Sequence, residues 1–334
     1  MTRPTALAAA ALAAGLAAAP AAAQDRPVLT VYTYDSFVTD WGPGPVVEDR
    51  FEAVCACDLN LVGAGDGAAL LGRLRLEGAD TDADVVLGLD TNLIAEAKET
   101  GLFAPHGRGA VETDVPGGWA DETFLPYDWG WFAFVHDTTR LAEAPESFEA
   151  LRAADVSLVI QDPRSSTPGL GLALWIHDLY GDAAPGVWAD LAPKIVTVTK
   201  GWSEAYGLFL EGEADMVLSY TTSPAYHLIA EDDPTKAAAA FAEGHYMQVE
   251  VAGRIAGSDQ ADLAGDFLAF MLSEPFQSAI PTTNWMYPAV TPEGGLPEGF
   301  ETLVTPETSR LLSPEAAREA RPQAIADFRE ALSR

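Results

Sequence analysis

The run from Asp215 to Tyr226 (D-M-V-L-S-Y-T-T-S-P-A-Y) constrains this chain more than any other. Met216 to Tyr220 reads as a short buried strand. Thr221 and Thr222 turn the chain, and Ser223-Pro224 is a helix start: serine can accept from the first free amides, and proline at the first helical position gives up no needed donor. A strand that ends in a helix N-terminus collects hydroxyls, bare amides and the positive end of a dipole in one place. Tyr220 and Tyr226 flank that place. A polar, anion-tolerant floor with aromatic walls suits a small organic ligand.

The rest of the chain repeats the alternation. Val28 to Tyr34, Leu59 to Val62 and Asp84 to Leu89 carry strand patterns. Helices are expected over Val46 to Ala53, from Asp66 as cap with Leu70, Leu71 and Leu74 on one face, and over Asn92 to Thr100 before Gly101. Trp129 to His136 reads as a strand leading into a second α/β unit. That unit holds Leu158 to Gln161, a helix from Pro168 to about Tyr180, Ile195 to Thr199 and a helix near Ser203 to Leu210. Tyr246 to Ala252 is a further strand, Asp262 to Met271 a helix, and Leu303 to Arg334 mostly helical. Alternation of this kind predicts a sheet parallel in the main. It predicts two α/β lobes, with the chain crossing between them more than once.

The first residues read as an export signal, not as part of the fold. Arg3 gives a positive start, Ala6 to Ala18 a weakly apolar core, and Ala21-Ala22-Ala23 a small-residue cleavage site. Cleavage is expected near Ala23, with delivery to the periplasm and enough chain left for two domains. The formal net charge of −31 excludes a general nucleic-acid binder, because phosphate backbones need a basic face. The two cysteines, Cys55 and Cys57, lack the second ligand pair of a structural zinc site. Their spacing leaves open a tight disulfide or two thiols beside a strand.

Three helix starts fall at the ends of expected strands: Asp66-Gly67, Thr167-Pro168 and Ser223-Pro224. Ligands of open α/β sheets bind at the carboxyl ends of strands, where such helix starts point. Tyr34, Trp41, Trp202, Tyr220, Tyr226, Trp285 and Tyr287 sit in turns or at strand ends, as stacking walls for a flat, cationic heterocycle would. Asp35 and Asp66 are the candidates for the matching negative charge. There is no G-x-S-x-G, no P-loop and no dinucleotide fingerprint. The five histidines lack metal spacing, and most read as surface or capping residues. No catalytic nucleophile stands with its base, and no cofactor is expected.

Several longer runs carry a more specific message. Among them are 28–37 (V-L-T-V-Y-T-Y-D-S-F), 41–47 (W-G-P-G-P-V-V), 84–90 (D-V-V-L-G-L-D), 161–164 (Q-D-P-R) and 166–171 (S-T-P-G-L-G). To these add 197–210 (T-V-T-K-G-W-S-E-A-Y-G-L-F-L), 218–227 (L-S-Y-T-T-S-P-A-Y-H) and 284–288 (N-W-M-Y-P). Together they resemble the bacterial periplasmic thiamine-binding proteins, over nearly the whole mature chain. The resemblance implies a two-lobed type II periplasmic binding fold with a ligand cleft between lobes. It also implies a solute-binding component that delivers thiamine, and its mono- and diphosphate, to the permease of an ABC importer.

Carried over residue by residue, that family's ligand contacts fall on Asp66, Gly67, Ser166, Thr167 and Trp202, and on Tyr220, Thr221, Thr222, Ser223 and Pro224. Tyr34 and Trp285 are implied as walls on the opposite lobe, with Asp35, Trp41 and Tyr226 as further contacts. The expected division is residues 1–23 as signal, 24–128 as the first part of lobe 1 and 129–244 as lobe 2. Residues 245–334 are expected to return to lobe 1 and end in C-terminal helices. The chain is expected to act as a monomer and to bind no metal. The alternatives are a thiaminase-like transferase, which needs a cysteine nucleophile in the cleft, and a receptor for ferric ion or a polyamine.

Overall fold

The computed structural model describes residues 26–333, so the expected export signal and its cleavage site lie outside the described residues. The first half runs β1 (Val28–Thr33), α1 (Gly44–Cys55), β2 (Asp58–Gly63), α2 (Gly67–Glu77), β3 (Val85–Asp90), α3 (Ile94–Glu99) and β4 (Phe103–Ala104). The long strand β5 (Leu125–Asp137) leads to α4 (Phe148–Ala153), β6 (Leu158–Gln161), α5 (Thr167–Tyr180), α6 (Ala184–Leu191) and β7 (Ile195–Thr199). Then come α7 (Trp202–Leu210), β8 (Met216–Tyr220), α8 (Pro224–Ala230) and β9 (Lys236–Ala238). A second long strand, β10 (His245–Ile255), precedes α9 (Ala261–Met271), α10 (Glu274–Gln277), α11 (Ile280–Thr283), β11 (Tyr287–Pro288), β12 (Ser309–Arg310) and α12 (Pro314–Leu332).

The main strands form one sheet in the order β2-β1-β3-β10-β5-β8-β6-β7. Sequence alternation predicts a mainly parallel sheet, and the structure corrects this. Each end is parallel, β2-β1-β3 on one side and β8-β6-β7 on the other. The middle is antiparallel, because β10 runs against both β3 and β5, and β5 runs against β8. β5 is also longer than its expected Trp129–His136 core. Its first residues pair with β10 and its last with β8, so one continuous strand serves both halves.

Successive residues of the strands face different cores, as the period of two requires. Val85 and Leu87 pack with α1 and α9 residues such as Phe51 and Phe267, whereas Val86 and Leu89 pack with Leu70 and Leu74 of α2. In the other half, Val159 and Val217 meet Phe209 of α7, while Ile160 and Leu218 meet Trp175 of α5. Both faces of each parallel set are therefore buried, which explains their near-continuous apolar runs.

Local corrections follow from packing. Residues 303–313 hold only β12, and the terminal helix begins at Ser313, whose hydroxyl accepts from the Ala316 amide. That helix, α12, sets Phe328 against Trp188 of α6 and Arg321 against Glu96 of α3, so it touches both halves. Four of the five histidines are not surface groups. His106, His136, His227 and His245 are buried, and His245 lies on strand β10 with Nδ1 against the Phe132 carbonyl and Nε2 accepting from the Phe241 amide. Cys55 and Cys57 are joined as a disulfide, with Ala56 between them in the left-handed region at φ 53°. Among the described residues, no helix is long and apolar enough to cross a membrane.

Candidate functional site

A cavity of about 380 Å³ opens between the two halves, at the carboxyl ends of β1, β2, β6, β7 and β8. The first half contributes Tyr34, Ser36, Trp41, Asp66 and Gly67 from segments that follow β1 and β2. The second contributes Thr167 and Pro168 at the start of α5, Trp202 and Tyr206 of α7, and Tyr220, Ser223 and Tyr226 around α8. A third set, Thr282 through Met286, closes it from the segment after α11, and Glu250 of β10 lies at its floor.

The aromatic walls are braced. Trp202 stacks on Tyr206 with centroids 5.0 Å apart, and its indole N–H donates to the Ser219 hydroxyl at 2.8 Å. Trp41 reaches across to Trp202 at 6.3 Å, and Tyr226 meets Trp285 edge-on at 5.4 Å. Trp285 holds φ at 57°, a left-handed conformation that costs a non-glycine residue about 1–2 kcal/mol. Such strain persists where surrounding contacts hold it, and it is concentrated at ligand sites.

Asp66 departs from its expected part. It stands at the N-cap position of α2, but its side chain does not cap that helix. Its Oδ2 instead accepts from the Ser166 hydroxyl at 2.7 Å and from the Trp202 amide at 3.0 Å. It thus caps α7 of the opposite half, whose own cap residue, Gly201, has no side chain to offer. Beside it the Ala69 amide donates to the Ser165 carbonyl, also across the cleft. Burial is the main cause that lifts the Asp66 carboxyl to about 6, against the two donated bonds.

Ser223 departs in the same way. It precedes α8 without a side-chain cap bond. Its hydroxyl accepts from the Tyr220 amide at 3.2 Å and shares a bond with the Ser219 hydroxyl at 2.7 Å, which draws it back toward the strand.

Of the residues singled out from sequence, Tyr34, Asp66, Gly67, Thr167, Trp202, Tyr220, Ser223 and Trp285 line the cavity, as do Trp41 and Tyr226. Ser166, Thr221, Thr222 and Pro224 stand behind the wall. Ser166 is fully buried on Asp66, Thr221 and Thr222 are fully buried, and Pro224 opens α8. Asp35 is turned away, its Oδ1 accepting from the Gly65 amide at 2.9 Å.

Sequence reasoning missed the floor. Glu250 Oε2 accepts from the Tyr127 hydroxyl at 2.7 Å and from the Tyr34 hydroxyl at 3.1 Å. Asp90 and Asp128 are its direct cross-strand neighbours on β3 and β5. Burial raises all three carboxyls, Asp90 to about 7 and Asp128 well above the carboxylate range. The available signal was a lone acid in the middle of a buried strand.

Elsewhere, His227, Glu231 and Asp233 lie close together, but His227 already holds Glu231 at 2.7 Å and the Tyr206 hydroxyl at 3.0 Å. That leaves neither ring nitrogen for a metal.

Comparison with known proteins adds to this geometry. The family model described as bacterial extracellular solute-binding protein matches residues 45–278. A thiamine-binding periplasmic protein of Escherichia coli (strain K12) is 56% identical over 311 residues, covering 92% of this chain and 94% of that protein. A solved structure, a periplasmic thiamin binding protein, superposes with a TM-score of 0.91 at 56% identity, over 94% of this chain and 99% of that one. Iron-bound HitA from Pseudomonas aeruginosa superposes with a TM-score of 0.73 at 19% identity, over 91% of this chain and 99% of that one. At that identity the likeness is one of fold alone.

Proposed function

The chain belongs to the bacterial extracellular solute-binding proteins, and we propose that within this family it is the periplasmic receptor that binds thiamine for a membrane importer. The observation that carries the reading is the cavity itself, walled by Tyr34, Trp41, Trp202, Tyr220, Tyr226 and Trp285 and floored by a carboxyl group. Flat rings of low charge density stack on such walls, and a quaternary nitrogen is drawn to ring faces. The thiazolium and pyrimidine of thiamine are two such rings.

The receptor makes and breaks no bond of its ligand. Its two cysteines are joined to each other at the end of α1, away from the cavity, so no thiol stands ready to attack thiamine. The mono- and diphosphate esters bind in the same cleft, their phosphate received at the starts of α5 and α8, where Thr167 and Ser223 lie. The chain acts as a monomer after removal of a signal near Ala23.

The test is to strip ligand by unfolding, refold, and titrate thiamine while following tryptophan fluorescence. Saturable quenching at micromolar affinity or tighter, weakened by Trp202→Ala, is the expected result. A flat titration with correctly refolded protein would overturn the reading. Incubation with thiamine and aniline should leave thiamine intact.

A further inference from the structure

Glu250 is built into the floor in an unusual way. It lies on β10 just before two β-bulges, one on each neighbouring strand, both opposite the Val251 end of its pairing. On β3 the register skips Gly88, and on β5 it skips Tyr127. Bulges re-aim the backbone and its side chains, and these two bring Tyr34 and Tyr127 to Glu250. At the first, Gly88 sits at φ +107°, and a Cβ there would lie 2.3 Å from the Tyr34 ring. Only glycine lets Tyr34 lie where its hydroxyl donates to Glu250. At the second, the extra residue is Tyr127 itself, and Pro126 beside it has no amide to lose from the ladder.

The two acids beside Glu250 are held differently. Asp128 Oδ2 accepts from the Asn284 side-chain amide at 2.6 Å, and Asp128 faces Glu250 directly across the β5–β10 ladder. Asp90 accepts from the amide and the side chain of Asn92. Three buried carboxyls in a row cannot all be charged, because like charges at this separation and burial disfavour one another. Glu250 Oε2 faces the hydroxyls of both Tyr127 and Tyr34, and hydrogen bonds of this kind favour its charged form over that of Asp128, which has only the Asn284 amide.

Resting on the proposed thiamine reading, we infer that Glu250 is the residue that recognises the ligand's permanent positive charge, and that Tyr34, Tyr127 and Asp128 are positioning residues that hold it as the single charged carboxylate of the floor. Asp66 then belongs to lobe closure. Charge recognition by a fixed, desolvated carboxylate gives preference for a cation over a neutral molecule of the same shape.

The experiment compares two probes by calorimetric or fluorescence titration: thiamine, and its neutral isostere in which carbon replaces the quaternary ring nitrogen. Wild-type protein is expected to prefer thiamine by at least about tenfold, as one close charge contact in a partly buried site supplies. In Glu250→Gln, with folding checked by thermal melting, that preference should fall to about one while the isostere binds as before. Tyr127→Phe, which touches the acid and not the cavity, should shrink the preference by a smaller factor, and it decides the matter if Glu250→Gln does not fold. Equal binding of both probes by the wild type, or a preference that survives both substitutions, overturns the inference alone. Failure of the wild type to bind either probe overturns the thiamine reading and the inference with it.

Discussion

The lip and the floor of the cleft use carboxylates in opposite ways. At the lip, Asp66 bonds to Ser166 and Trp202 of the other half, so its contacts exist only while the halves are together. At the floor, Asp90, Glu250 and Asp128 sit on strands of one sheet and take their partners from that sheet and the segments packed on it. A lip acid can report closure, and a floor acid can hold a shape that outlasts it. The two regions should therefore fail differently when altered: the floor through stability, the lip through affinity.

The largest effect should come from Gly88→Ala. The new Cβ meets the Tyr34 ring at 2.3 Å, and φ is positive as well. Left-handed strain and overpacking each cost about 1–3 kcal/mol. Loss of roughly 3–5 kcal/mol in chemical denaturation is expected, together with loss of binding as Tyr34 is displaced. Unchanged stability would mean that the bulge on β3 is not what orders the floor.

Next comes the pH dependence of folding. Asp90 has its folded pKa raised from 3.8 to about 7, chiefly by burial. A raised folded pKa means that the folded state holds more protons, so stability falls as pH rises between about 4 and about 7. One pKa unit is about 1.4 kcal/mol, so the full loss amounts to roughly 4 kcal/mol. Melting curves of the wild type should show this decline, and Asp90→Asn should flatten it. A decline that persists in Asp90→Asn would move its origin to the other floor acids.

The lip gives a smaller and different signature. Asp66→Asn replaces a charged acceptor with a neutral one, and hydrogen bonds to a charged group contribute about 1.5–3 kcal/mol. Thiamine affinity should fall by about ten- to a hundredfold with little change in denaturation midpoint. Solution scattering of the ligand-saturated variant should shift toward the open form. A large drop in stability with affinity intact would erase the distinction between lip and floor.

The same contrast explains what could be read in the sequence. The strand-to-helix junctions were legible because Ser-Pro and Thr-Pro pairs follow apolar strand runs, and local chemistry settles such features. The contacts of Asp66 were not legible, since its partners lie 100 and 136 residues away and only the fold brings them near. Asp66 reads as a cap for its own helix and serves another. Glu250 was hidden for a related reason. Its strand reads as buried and apolar, and only the register of β3, β10 and β5 shows three acids abreast. The pattern of β5 shows only from Trp129 on, whereas its start at Leu125 carries Pro126 and is accommodated by a bulge at Tyr127.

The smallest effect serves as the control for both regions. The Cys55–Cys57 disulfide closes a ring of very few residues at the end of α1, and neither residue lines the cavity. Constraint of the unfolded chain grows with the logarithm of ring size, so so short a ring contributes only about 1–2 kcal/mol. It also holds Ala56 at φ 53°, a conformation that alanine disfavours, and this offsets part of the gain. Cys55→Ala with Cys57→Ala should lower the melting temperature by a few degrees and leave thiamine affinity and its dependence on Asp66 unchanged. If affinity falls with the disulfide, α1 and the turn that carries Trp41 transmit strain to the lip, and the lip would then depend on the fold beneath it as much as the floor does.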